Sequence, residues 1–135
     1  MIITTFDGDS TIREGDWLRL WNSTGPGTAH EVWVGVGGIV YENSGPGGHV
    51  RRSTLFHVLR GRKVIEIIGR TADPIDLARK VRRAESLVGT PWVGFYNCQD
   101  FASEVATGKR VSFQRDALLA LAALGGLLYL GGRGQ

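Results

Sequence analysis

One cysteine and three histidines carry most of the reactive potential of this 135-residue chain. The cysteine stands in the stretch Tyr96-Asn97-Cys98-Gln99-Asp100-Phe101, where a loop gives way to a segment with helical spacing. Asn97 is a good N-cap, so the pattern predicts Cys98 in the first turn of a helix. Unsatisfied backbone N–H groups and the positive end of the helix dipole stabilise a thiolate there. The same N–H groups can receive the oxyanion that forms when a thiolate adds to a carbonyl. A lone cysteine in an arbitrary chain is more often an inert core residue. The helix start is what marks Cys98 as a nucleophile.

A thiolate nucleophile needs an imidazole to take and return its proton. His30 opens a segment rich in strand formers, and a rigid strand would hold it in place. His49 follows Gly45-Pro46-Gly47-Gly48, a loop that positions little, and His57 in Leu55-Phe56-His57-Val58-Leu59 reads as structural or surface. His30 is therefore the expected base.

The elements that must bring Cys98 and His30 together follow from period and turn residues. Residues 1–13 read as a polar, irregular lead-in. Trp17-Leu18-Arg19-Leu20-Trp21 reads as a partly buried strand, and residues 22–29 as a loop. Residues 31–36 and 39–43 flank Gly37-Gly38 and read as a β-hairpin, since glycine supplies the positive φ of a tight turn. A further strand is expected over residues 63–68. An amphipathic helix is expected from Asp73 as cap, through Pro74, to a stop at Gly89, with Leu77, Val81, Ala84 and Val88 on its inner face. The second helix is expected over residues 98–107, with Phe101, Ala102 and Val105 inward and Gly108 ending it. The expected fold is α+β: a small antiparallel sheet packed against the cysteine-bearing helix and the basic helix. The hairpin leaves one ambiguity. A three-residue turn over residues 36–38 puts Glu42 on the face of His30, whereas a two-residue Gly37-Gly38 turn puts Asn43 there. Either could orient the imidazole, as the third member of a triad does.

Composition narrows the function classes. An apolar share of 42% with 21% charged residues is that of an ordinary globular protein. A net charge of +3 and the lack of a recognition motif argue against a nucleic-acid partner. One cysteine allows no internal disulfide, which suits a reducing, cytoplasmic setting, and the first residues lack the pattern of a secretory signal. No cluster of ligand-type residues implies a metal or organic cofactor.

The order Glu14-Gly15-Asp16-Trp17, His30 on a glycine-turned hairpin, a helix, then Asn97-Cys98 resembles the lecithin:retinol acyltransferase-like proteins. These form a circularly permuted branch of the papain-like, NlpC-type thiol enzymes. Their Asn-Cys-Glu-His-Phe motif is similar to Asn97-Cys98-Gln99-Asp100-Phe101, although Asp100 replaces the histidine. Arg83-Ala84-Glu85-Ser86-Leu87-Val88-Gly89 resembles the helix ahead of the cysteine loop, and Val40-Tyr41-Glu42-Asn43-Ser44 the second hairpin strand. The family usually carries a histidine as third residue, where this chain has Glu42. The resemblance spans about residues 14–114 and sets a division into a lead-in (1–13), a thiol domain (14–114) and a hydrophobic helix with a glycine-rich end (115–135). It implies acyl transfer or hydrolysis on a lipid-like ester through an acyl-cysteine, with Cys98, His30 and Glu42 as catalytic residues. The same residues would serve a cysteine amidase or peptidase of cell-wall or protein substrates, and a non-catalytic module of a larger assembly is the third reading.

Residues 117–130 are apolar on every face. Spanning a bilayer takes about 20 apolar residues, so this stretch is short for that purpose. The family often ends in a hydrophobic anchor, which implies a membrane surface as partner. Packing into a protein assembly is the alternative.

Overall fold

The computed structural model describes residues 2–4, 11–22, 29–60, 62–93, 96–110 and 119–125. Five strands form one antiparallel sheet: β3 (Trp17–Asn22), β4 (Ala29–Val34), β5 (Ile39–Asn43), β6 (Val50–Thr54) and β7 (Arg62–Gly69). Their spatial order is β6-β5-β4-β3-β7, so the histidine strand β4 lies at the centre. Residues 2–4 and 11–13, expected to be irregular, instead pair as β1 (Ile2–Thr4) and β2 (Thr11–Arg13). Ile12 of β2 buries its side chain in the core.

Alternation along the strands divides that core in two. Leu18, Leu20, Val32, Val34 and Val40 fill one face and pack on Leu55 and Val58 of the one-turn helix α1 (Leu55–Val58). Trp33 and Tyr41 fill the other, under Ala84 of α2 (Pro74–Leu87) and Phe101 and Val105 of α3 (Cys98–Thr107). Both helices form where the residue types direct. Asp73 caps α2 with Pro74 at its start, and α3 ends at Gly108, whose φ of 80° is the left-handed cap conformation.

Two ties fix α2 and α3 against the rest. Tyr41 donates to Glu85 Oε1 at 2.5 Å, and Arg52 Nε donates to both oxygens of the same carboxylate at 2.9 and 3.0 Å. The Arg52 guanidinium, with the Tyr41 hydroxyl, pulls the Glu85 carboxyl down to about 2, while burial and Glu85 push Tyr41 up to about 12. Arg83 Nη1 reaches from α2 to the last carbonyls of α3, those of Glu104 and Val105, at 3.1 and 2.8 Å. A cation there suits the negative end of the helix dipole.

The edge strand β6 has no counterpart in the sequence pattern. Of Val50, Arg51, Arg52, Ser53 and Thr54 only Val50 is buried, and an edge strand tolerates the charges that hide it. Residues 23–28 of the expected loop lie outside the described residues, as do 117, 118 and 126–130 of the expected apolar helix. Within that helix, residues 119–125 are helical and exposed, with Leu119, Leu121 and Leu124 at 52%, 66% and 54%.

Asn97 is the residue on which the start of α3 depends. Its side chain accepts from the amides of Gln99 and Asp100 at 3.0 and 3.1 Å, and Asp100 returns a bond to the Asn97 amide at 3.2 Å. This reciprocal capping box is buried, whereas the Asp73 cap of α2 is exposed and satisfies one amide. Asn97→Ala should therefore lower unfolding free energy by about 1–2 kcal/mol in denaturant titration, and Asp73→Ala by about half that. Equal losses would mean that the buried cap adds nothing.

Candidate active site

The β4–β5 connection settles which residue faces His30. The Gly35 amide donates to the Ile39 carbonyl at 2.8 Å, so residues 36–38 form a three-residue turn. Gly37 and Gly38 take φ of 70° and 85°, a conformation that side-chain-bearing residues rarely adopt. The turn puts Val32 opposite Glu42 and Val34 opposite Val40, and Glu42 shares the face of His30. Glu42 Oε1 lies 3.0 Å from His30 Nε2.

Asn43, the other candidate, turns to the opposite face and does a different job. It is fully buried, and its Nδ2 donates to the Tyr96 carbonyl at 3.2 Å. That bond ties β5 to the loop just ahead of Cys98. Asp100, two residues after Cys98, is spent on the capping box. His49 is held through its backbone to Ser44 and Pro91, and His57 is exposed beside Arg51.

Cys98 comes to His30 from α3. It is the first residue of that helix and is 8% exposed. Its Sγ lies 3.9 Å from the carbonyl oxygen of Ala29, the residue before His30, and the thiol is close enough to the imidazole to raise its pKa. With Nε2 committed to Glu42, Nδ1 is the ring nitrogen left for the thiol. Cys98, His30 and Glu42 therefore form a continuous row from helix start to buried carboxylate.

Burial is the largest influence on His30 and opposes its charge, but the interactions with Cys98 and Glu42 together outweigh it and raise its pKa. Arg62 pulls the other way. For Glu42, burial again opposes the charge, and His30 and Arg51 overcome it to hold the carboxyl below its ordinary range. Both shifts favour the ionised pair. Among the described residues no group of His, Cys, Asp and Glu is arranged to hold a metal ion.

Arg51 escaped the sequence reading because its strand did. Its Nε and Nη2 donate to Glu42 Oε2 at 3.4 and 3.3 Å. An opposite charge directly across from Glu42, once residues 44–49 are read as the loop of a second hairpin, is the signal that could have found it.

The pair has a pH signature. Glu42, with its lowered pKa, stabilises the fold above its unfolded value of 4.5, and that contribution is lost as pH falls. His30, with its raised pKa, stabilises below its unfolded value of 6.5, and that contribution is lost as pH rises through the folded value. The pair is thus worth most between 4.5 and 6.5. Glu42→Gln should destabilise by about 1–3 kcal/mol within that window and by clearly less at alkaline pH, measured by thermal unfolding. A pH-independent difference would contradict the ion pair.

No family model, curated protein or solved structure matches this chain.

Proposed function

We propose that the chain is a thiol acyltransferase or hydrolase of the circularly permuted papain-like kind, acting on a lipid-like ester through an acyl-cysteine. The observation that carries this reading is the row Cys98–His30–Glu42, assembled from a helix start and two adjacent strands. A structural cysteine would need no buried imidazole beside it, and a structural imidazole no buried carboxylate behind it.

In the proposed cycle His30 takes the thiol proton, and the Cys98 thiolate adds to the ester carbonyl, whose π electrons move to oxygen. The amides of Gln99 and Asp100 are committed to Asn97, so the Cys98 amide is the first-turn donor assigned to that oxyanion. When the carbonyl re-forms, the C–O bond to the alcohol breaks and His30 returns the proton to the leaving oxygen. Water or an acceptor then adds to the acyl-cysteine, His30 takes its proton, and the thiolate departs. Glu42 holds the imidazole through Nε2 and stabilises its charged form throughout. A cysteine amidase would use the same residues on a different acyl group.

The lipid preference is supported by the exposed leucines of residues 119–125, an apolar surface that tends to associate. Among the described residues no helix is long and apolar enough to cross a membrane. The proposed placement is in the cytoplasm, at a membrane surface or in a protein assembly, through residues 117–130.

Two experiments test these points. Hydrolysis of p-nitrophenyl esters should rise with acyl chain length and fall by at least about 10³-fold in Cys98→Ser and about 10²-fold in His30→Ala. Unchanged turnover in Cys98→Ser would remove the thiol mechanism, and a preference for peptide-like amides would favour the amidase. Separately, ending the chain at Gln114 should leave a cooperatively folding domain that no longer sediments with liposomes. Loss of folding would assign the tail to the core, and retained sedimentation would refute an anchor.

A further inference from the structure

Glu42 has two oxygens, and only one serves His30. Oε1 takes the imidazole, while Oε2 takes Nε and Nη2 of Arg51, which stands directly across from Glu42 in the β5–β6 ladder. The neighbouring Arg52 points to the other face and is spent on Glu85 of α2. Consecutive arginines on one edge strand thus have separate tasks, and only the first reaches toward the thiol.

We infer that Arg51 is a positioning residue for the Cys98–His30 pair: it fixes the Glu42 carboxylate and keeps it ionised through every protonation state of His30. The inference rests on the thiol mechanism proposed above. During that mechanism His30 is alternately charged and neutral. A carboxylate as buried as Glu42, at 2% exposure, is left without a cation whenever the imidazole is neutral, and desolvation then drives it toward the protonated form. Protonated Glu42 could no longer stabilise the next imidazolium. A guanidinium never releases its proton at working pH, so Arg51 supplies the constant countercharge. Its two nitrogens on a single oxygen also restrict the glutamate rotamer, which leaves Oε1 presented to Nε2.

Two further charged groups are described near this place. The Arg62 charge disfavours protonation of His30, whereas Arg51 acts on Glu42. His57 Nε2 lies 3.3 Å from Arg51 Nη2 on the solvent side and steadies the guanidinium from outside. Arg51 itself is 43% exposed in its side chain, so its replacement opens no cavity in the core.

The test is the pH profile of Cys98 alkylation by iodoacetamide in the full chain, read by peptide mass, for wild type, Arg51→Met, Arg51→Lys, Glu42→Gln and the Arg51→Met/Glu42→Gln double variant. Arg51→Met should slow alkylation at pH 6 by about tenfold, the effect of losing roughly one charge-assisted hydrogen bond. Its profile should approach that of Glu42→Gln, and the double variant should be no slower than Glu42→Gln alone, since both changes remove one coupling. Arg51→Lys keeps the charge without the fork and should recover part of the rate. A profile of Arg51→Met that superimposes on wild type, or losses that add fully in the double variant, would overturn the inference. If Arg51→Met does not fold, Arg51→Lys decides, because a profile identical to wild type or to Glu42→Gln would contradict a role for both charge and fork. His30→Ala is the separate control: an unchanged profile there would defeat the thiol mechanism itself, whatever Arg51 does.

Discussion

A carboxylate and an imidazole meet at 3.0 Å between β5 and β4, and each favours the charged form of the other. Moving a lone ion out of water costs several kcal/mol even after the protein relaxes, so a buried charge must be paired and hydrogen-bonded. Glu42 and His30 meet that condition only because a three-residue turn sets the register of their strands. One residue fewer in the turn would send Glu42 to the opposite face and bring Asn43 to the imidazole. The local geometry of Val36, Gly37 and Gly38 therefore decides the electrostatics of a site at the far end of the same hairpin.

Around that pair the sheet works as a platform with two faces. α1 closes the side that holds Val32 and Val40, and α2 and α3 close the side that holds Trp33 and Tyr41. The thiol arrives from the second side, carried on the first residue of α3 and set against the Ala29 carbonyl at the start of β4. Its loop is held by Asn43, and its helix start by the Asn97–Asp100 box. Polar residues on β5 thus serve both halves of the site, Glu42 toward the imidazole and Asn43 toward the cysteine loop. That division of labour explains why two consecutive polar side chains are tolerated deep in an otherwise apolar strand.

Much of this could be read before the fold was known, and the parts that could not have a physical cause. Caps and glycines are local signals, so α2, α3 and the hairpin lay open in Asp73, Pro74, Asn97, Gly108 and Gly37-Gly38. The pairing of His30 with Cys98 followed from the chemistry that a thiolate requires. The choice between Glu42 and Asn43 did not follow, because strand register depends on a hydrogen bond between Gly35 and Ile39 that two glycines permit but do not dictate. The strand β6, and with it Arg51, was hidden because edge strands need no apolar alternation. The pairing of β1 with β2 was hidden in a polar stretch, although Ile12 contributes to the core.

The central claim is that Cys98 becomes transiently acylated with His30 as its base. The most direct measurement is acid quenching of the full chain during turnover of an acyl ester, followed by mass mapping of the modified peptide. The account predicts an acyl group on Cys98 in the wild-type protein, lost again as substrate is exhausted, and strongly depleted in His30→Ala that remains folded. An unmodified Cys98 under turnover, or an adduct that forms equally well in His30→Ala, would contradict it.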